Sequence, residues 1–391
     1  MQQPFAMIDT ADDLQRCCRA WRDAGRFAFD TEFIRDETYD ARLCLIQVAD
    51  ANGVTLIDPS AGLDTTPLWE LVHDPSVRAI VHAGKEDFDL CVRLTGKPPR
   101  NVFDVQVAAG FVGIGYPMSL VRLVAALTNH RIAKGSTLTD WMRRPLTDDQ
   151  LRYAVEDVAY LLPMADKLEQ SLQTMQRSEW AADEMLRFED VAFYRPPVEE
   201  RLHKFRGTKG LDSLGLAVLQ RLIEWRDQWA QEKNRPIRAM MRDDILVEIA
   251  RRRPTKAPQL EVLRGFPQAK NPRVVQQILD IVAETAKSPK SSWPQVEQVR
   301  EESPMERAAV DLLAGYLRAT CDIEKVEYEL VGGATRLRDM LDFLRGIATE
   351  RPTILSGWRE QFAGKRLVAL LEGRATLRLG GWPAELRLIS E

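Results

Sequence analysis

The chain has 391 residues, enough for two to four domains of ordinary size and for a sizeable core. With 29% charged and 45% hydrophobic residues it is patterned like an ordinary globular protein. No run reaches the roughly 18 consecutive apolar residues of a spanning helix, and Met1-Gln2-Gln3-Pro4 opens no signal-like segment, so a cytoplasmic protein with no membrane contact is expected. The five cysteines, Cys17, Cys18, Cys44, Cys91 and Cys321, are odd in number and form no C-x-x-C pair, so neither a disulfide framework nor a zinc site is indicated and reduced, mostly buried thiols are expected.

The net charge of −4 is unevenly spread: residues 203–290 hold 18 Lys and Arg against 10 Asp and Glu, a net of +8. A basic module therefore stands beside acidic ones, so that one chain can bind phosphates in one place and cations in another.

The first 170 residues alternate strand and helix patterns. Strands are predicted at 26–33, 43–48 and 54–57, the last after the turn signal Asn52-Gly53, suggesting an antiparallel meander. A fourth run at 79–82 leads through Ala83-Gly84 into a helical pattern carrying Phe88, Leu90, Cys91 and Leu94. Asp104 reads as the N-cap of a helix holding Val107, Ala108 and Ala109, and Asp140 is similar. A longer helix is expected to begin after Thr147 and run through Tyr153, Val155, Val158, Leu161 and Leu162, with a kink at Pro163. The linker Tyr194-Arg195-Pro196-Pro197 follows, and after it only helical patterns, interrupted by the Ser/Pro-rich stretch 288–294. Segments 203–287 and 303–382 have similar lengths and share a Trp-Arg pair, Trp225-Arg226 and Trp358-Arg359, which suggests divergent copies of one unit.

Asp30 and Glu32 stand two apart on one strand, so both carboxylates leave the same face. Two carboxylates side by side repel each other, and Phe27, Phe29 and Phe33 around them argue against a freely solvated edge. A divalent ion would relieve the repulsion, and oxygen is the ligand Mg²⁺ or Mn²⁺ prefers. Asp87 falls in the first turn of its helix, where the dipole favours an acid. Asp157 follows Tyr153 by four residues, so phenol and carboxylate share a helical face.

In the motifs Phe29-Asp30-Thr31-Glu32-Phe33, His82-Ala83-Gly84-Lys85-Glu86-Asp87 and Tyr153-Ala154-Val155-Glu156-Asp157 with Tyr160-Leu161-Leu162-Pro163, and in the stretch 139–147, the chain resembles the DEDD family of 3′ exonucleases. The likeness is to the tyrosine-containing branch and, within it, the ribonuclease D family. Arg152, and the lack of a histidine before Asp157 in its motif, exclude the histidine branch. Residues 203–287 are similar to the helicase and RNase D C-terminal (HRDC) domain, with Leu219, Leu222, Trp225-Arg226, Pro236 and Asp244 in matching places, and 303–391 resemble a degenerate second copy. The resemblance implies an α/β ribonuclease H-like exonuclease domain over 1–195, followed by two all-α HRDC-like domains at 203–287 and 303–391.

It further implies that Asp30, Glu32, Asp87 and Asp157 hold two divalent ions, Mg²⁺ or Mn²⁺, across the scissile phosphate, while Tyr153 orients the attacking water. The substrate would be RNA with a free 3′ end, such as a tRNA precursor, and no obligate protein partner is indicated. A DNA 3′ exonuclease and a non-catalytic nucleic-acid adaptor are the alternatives. His82 reads as a structural hydrogen-bonding residue. Lys134, in a Lys-Gly where relatives often have Lys-Ser, and the run Arg251, Arg252 and Arg253 are candidates for phosphate contact.

Overall fold

Strand β2 (Arg26–Ile34) runs through the middle of a six-stranded sheet ordered β1-β4-β3-β2-β5-β6, and its first half is fully buried at Phe27, Ala28 and Phe29. The computed structural model describes residues 4–35, 37–132, 139–202, 204–266, 270–296, 302–380 and 385–390. The other strands of this sheet are β1 (Phe5–Ile8), β3 (Arg42–Asp50), β4 (Gly53–Ile57), β5 (Arg78–Val81) and β6 (Val102–Asp104). The predicted strands form. β3 and β4 pair antiparallel across Asn52-Gly53, where Asp50 Oδ1 accepts from the backbone N–H of Asn52 at 2.7 Å and of Gly53 at 3.1 Å. The short edge strand β1, parallel to β4, carries too little alternation to be read from sequence. β2–β5 and β5–β6 are parallel, the second pair joined through the helix Lys85–Thr95, the kind of crossover that a parallel pair requires.

Helices α1 (Ala11–Ala24), α2 (Thr66–Val72), α3 (Lys85–Thr95), α4 (Val105–Phe111), α5 (Leu120–Thr128), α6 (Asp148–Ala159), α7 (Leu161–Thr174) and α8 (Ser178–Met185) complete this part. Thr147 caps α6 in a capping box with Gln150: the Gln150 N–H donates to Thr147 Oγ1 at 3.3 Å, and the Thr147 N–H to Gln150 Oε1 at 2.9 Å. The single helix expected beyond Thr147 is two, broken at Tyr160. Pro163 lies in the first turn of α7, where its missing N–H costs nothing, but its ring would clash with the carbonyl four residues back, at Ala159.

By compactness the chain divides into two units. One comprises 1–32, 44–190 and 301–391; the other comprises 33–43 and 191–300. In the second unit, the 21-residue helix Ser213–Lys233 packs with Asp243–Arg252 and Pro272–Lys287 around Leu219, Leu222, Leu246 and Ile278. Buried Arg226 donates to the Met241 carbonyl at 2.8 Å and to Asp243 at 2.7 Å, while Asp244 pairs with Arg242. Trp225 stacks on Trp229.

The segment after residue 303 is helical, led by Pro304–Glu324, but it also carries an antiparallel hairpin, β7 (Ala375–Gly380) with β8 (Glu385–Ser390), that the expectation of helices alone did not include. Trp358, 2% exposed, sits in the first turn of the continuous helical stretch 357–371, whose middle, Glu360–Gly364, is π-helical, and packs edge-on against Phe111 of α4, ring centroids 4.7 Å apart. Its indole N–H donates to Glu184 Oε2 at 2.9 Å. Arg359 and Arg187 each reach the same buried carboxylate at 2.7 Å. Arg177 donates to the carbonyls of Phe111 at 2.7 Å and Lys325 at 3.0 Å. Trp225, midway along a long helix, and Trp358, wedged against α4, therefore stand in unlike surroundings, and the shared Trp-Arg pair marks no common position. No helix of the described residues is long and apolar enough to cross a membrane. The five cysteines are free thiols, all buried except half-buried Cys17.

Candidate active site

The alternation of β2 sends Phe27 and Phe29 into an aromatic layer and sends Asp30 and Glu32 to positions two apart. Phe29 packs edge-on against Trp69 and Phe88, which fixes the strand just before the acids. One turn of α6 places Tyr153 and Asp157 together. Each of Asp30, Glu32 and Asp157 offers a carboxylate oxygen, and the three oxygens all lie within 4.8 Å of one another. Asp157 Oδ2 is buried and has no hydrogen-bond partner, the condition of an oxygen left for a cation.

Burial and mutual repulsion act together on these acids. Desolvation first, then the charges of Asp157 and Asp87, pushes Glu32 up to about 8. Asp157 is raised by burial to about 7, and Asp30 lies well above the ordinary carboxylate range through burial and the charges of Asp87, Asp157 and Glu32. A group of acids that penalises its own negative charge this heavily could hold a divalent, oxygen-seeking ion.

Asp87 stands beside this group without joining it. It is 6% exposed in the first turn of α3, and its Oδ1 accepts the Thr31 backbone N–H at 3.0 Å together with the Thr31 hydroxyl. Burial raises it to about 6, against the pull of those hydrogen bonds. Its helix is set by the preceding loop, where Ala83 has φ 55° and the backbone N–H groups of Ala83 and Gly84 donate to Asp104 at 3.1 and 3.2 Å. A Cβ on Gly84 would come within 2.5 Å of Val81 Cγ2, so no larger residue fits there. Asp104 caps α4, as the sequence indicates, and holds this loop as well; no sequence signal carries the second role.

The Tyr153 ring packs on buried Trp141, centroids 6.0 Å apart, and its hydroxyl hydrogen bonds to Asp157. Burial, then the charges of Asp157, Glu32 and Asp30, raises the phenol above its usual range, so it is no base at neutral pH. The segment carrying Trp141 is pinned by Arg144, which forks onto Asp58 at 2.5 and 2.8 Å and reaches the Cys44 carbonyl at 2.8 Å.

His82 is structural, as expected: Nε2 lies 2.9 Å from the Met118 carbonyl. Lys134 lies outside the described residues. Arg251, Arg252 and Arg253 are far along the chain in the other unit and are engaged there. Arg251 and Arg252 pair with Glu248 at 2.9 and 2.6 Å, and Arg253 pairs with Asp212 at 2.7 Å.

Three carboxylates of strand and helix gather beside a tyrosine in a chain whose residues 5–173 match the 3′-5′ exonuclease family, a class of phosphodiesterases, while 215–282 match the HRDC domain. The Sphingobium indicum ribonuclease D is 33% identical over 95% of this chain and 96% of its own length; that of a Jannaschia species is 33% identical over 96% and 97%. The crystal structure of Escherichia coli RNase D, described as an exoribonuclease involved in structured RNA processing, superposes with a TM-score of 0.82 at 28% identity, covering 95% of this chain and 99% of that one. The chain belongs to the ribonuclease D family, whose exonucleases depend on divalent metal ions.

Proposed function

We propose that this chain shortens RNA from a free 3′ end, releasing nucleoside 5′-monophosphates, and that its substrates are tRNA precursors or other stable RNA of the cytoplasm. Its membership of the ribonuclease D family makes it a hydrolase, a 3′-5′ exoribonuclease. The observation that carries the detailed reading is the three-acid group with its unpartnered Asp157 oxygen.

Asp30, Glu32, Asp157 and Asp87 would hold two divalent ions, Mg²⁺ or Mn²⁺, which when bound supply an activated water and neutralise charge on the leaving 3′ oxygen. The protein's own part is positioning. Tyr153, its ring held by Trp141 and its hydroxyl anchored at Asp157, orients the attacking water rather than taking its proton. Thr31 holds Asp87 in one rotamer. The +8 segment of the helical unit draws the phosphate backbone. Lys134, Arg251, Arg252 and Arg253 are phosphate contacts in this reading, the three arginines after exchanging their present acidic partners.

The test is incubation of the protein with 3′-extended and 3′-blocked RNA and DNA, in Mg²⁺, Mn²⁺ or chelator. Mononucleotides should appear from unblocked RNA and vanish with chelator. Internal cuts, or digestion of blocked ends, would overturn the exonucleolytic reading, and equal digestion of DNA would overturn the RNA preference.

A further inference from the structure

The helix Pro304–Glu324 buries one side, at Val310, Leu313, Leu317 and Cys321, and leaves the other to solvent. On the outer side Met305, Leu312 and Ile323 are 78%, 67% and 69% exposed. Their spacing, with Ala308, Gly315 and Ala319 between them, puts all six on one stripe of the helix. At Gly315 a Cβ would meet nothing within 4 Å, so the stripe has an open notch at its centre. Exposed apolar side chains are ordinary when scattered, but aligned along a single helix they mark a contact surface.

The charges beside the stripe specify what covers it. Arg307, Asp311, Arg318 and Asp322 are all exposed and fall on one flank. Read backwards, this series is its own complement: a second helix running antiparallel sets Arg307 opposite Asp322 and Asp311 opposite Arg318 in a single register. The same register brings Met305 beside Ile323 and Leu312 beside the notch at Gly315, a large side chain against a small one. A two-fold axis across antiparallel helices keeps each flank facing its own copy, so each ion pair occurs twice. In the single chain Arg307 donates to the Glu302 carbonyl at 2.7 Å and Arg318 lies over the Tyr328 ring, 5.0 Å from its centroid, so each turns from its present partner to make the pair. We propose that this face is the contact between two copies of the chain. A foreign partner would give no reason for a charge series complementary to itself.

One helix against one helix covers less than the roughly 800 Å² per partner of a standard stable interface, so association should be weak, with a midpoint in the micromolar range. Sedimentation velocity of the full chain from about 1 to about 100 µM spans that range. The sedimentation coefficient should climb with concentration towards a dimer. Leu312→Glu, on an exposed position, should leave the thermal melt unchanged and abolish the climb. Arg318→Asp should weaken association about tenfold, since two pairs become like-charge contacts, and the double change Asp311→Arg with Arg318→Asp should restore it. A monomer at every concentration, an association indifferent to Leu312→Glu, or a double variant no better than Arg318→Asp alone would overturn the proposal.

Discussion

Thr31 gives both its backbone N–H and its hydroxyl to the same oxygen of Asp87, 56 residues away in sequence, and so ties the central strand to helix α3 at the edge of the acid cluster. Thr31 faces away from Asp30 and Glu32, which makes it a positioning residue. Thr31→Val keeps the shape and the N–H but removes the hydroxyl from a buried, charged acceptor, a loss of about 1–3 kcal/mol. Denaturant unfolding should register that loss, and the turnover rate should fall about tenfold, the lower end for an outer contact to a metal-binding group. Unchanged turnover would show that Asp87 needs no such support.

Asp157→Asn removes one of the three gathered carboxylates and should lower turnover by at least about 10³-fold, the upper end for losing one preorganised electrostatic contact. Tyr153→Phe removes only an orienting hydroxyl and should lower it by about 10²-fold. Titration calorimetry should find divalent-ion binding nearly normal in Tyr153→Phe and much weakened in Asp157→Asn. Loss of ion binding in Tyr153→Phe would assign the phenol a different role.

The raised acids also predict a pH dependence of stability. In the unfolded chain Glu32 and Asp157 ionise at ordinary values near 4, whereas the folded, metal-free protein keeps them protonated to about 8 and about 7. The folded state therefore binds more protons, and its stability declines as pH rises through that window. Thermal melts in chelator should fall steadily from about pH 5 to pH 8. Added Mg²⁺ should restore stability most at the upper end, where the carboxylates can pair with the ion without first releasing a proton. A metal effect that is largest at pH 5 would contradict the acid cluster as the binding site.

Trp358→Ala should destabilise the unit containing the clustered acids by about 3–5 kcal/mol, as loss of a large buried aromatic does. The cost would be felt at the active site although Trp358 touches none of its acids, because the ring packs on Phe111 and its indole N–H satisfies buried Glu184. A melt that moves by less than a few degrees would mean that the C-terminal segment is only loosely attached.

The ion pairs of Arg251, Arg252 and Arg253 limit what these residues can add to RNA binding. Three unencumbered phosphate contacts would steepen a plot of log affinity against log salt by about 0.7 each for a single strand. The triple Ala variant should flatten the plot by clearly less than that total, since each arginine must first leave Glu248 or Asp212. The full effect would show that the pairs open freely.

The parts of the site legible in sequence are those fixed by local periodicity. A two-residue repeat sets Asp30 beside Glu32, a four-residue repeat sets Tyr153 over Asp157, and Thr147 with Gln150 spells a cap. What stayed hidden is what tertiary packing decides. The hold of Thr31 on Asp87 and of Asp104 on the loop at Ala83 joins residues whose spacing carries no periodic signal. The break at Tyr160 was half visible: Pro163 announces a disturbance, but whether a helix bends or restarts depends on the packing of both halves. The terminal hairpin and the seat of Trp358 left no local trace, since nothing in the residues beside a tryptophan says which distant surface it will pack against.

The seat of Trp358 also bears on the order of events during synthesis. Ribosomes deliver chains N-terminus first, and most domains fold as soon as they emerge. Here the surface of α4 and the carboxylate of Glu184 must wait for a segment translated more than 170 residues later. The body that carries the acids thus stays unfinished until Trp358 and the residues around it have been made.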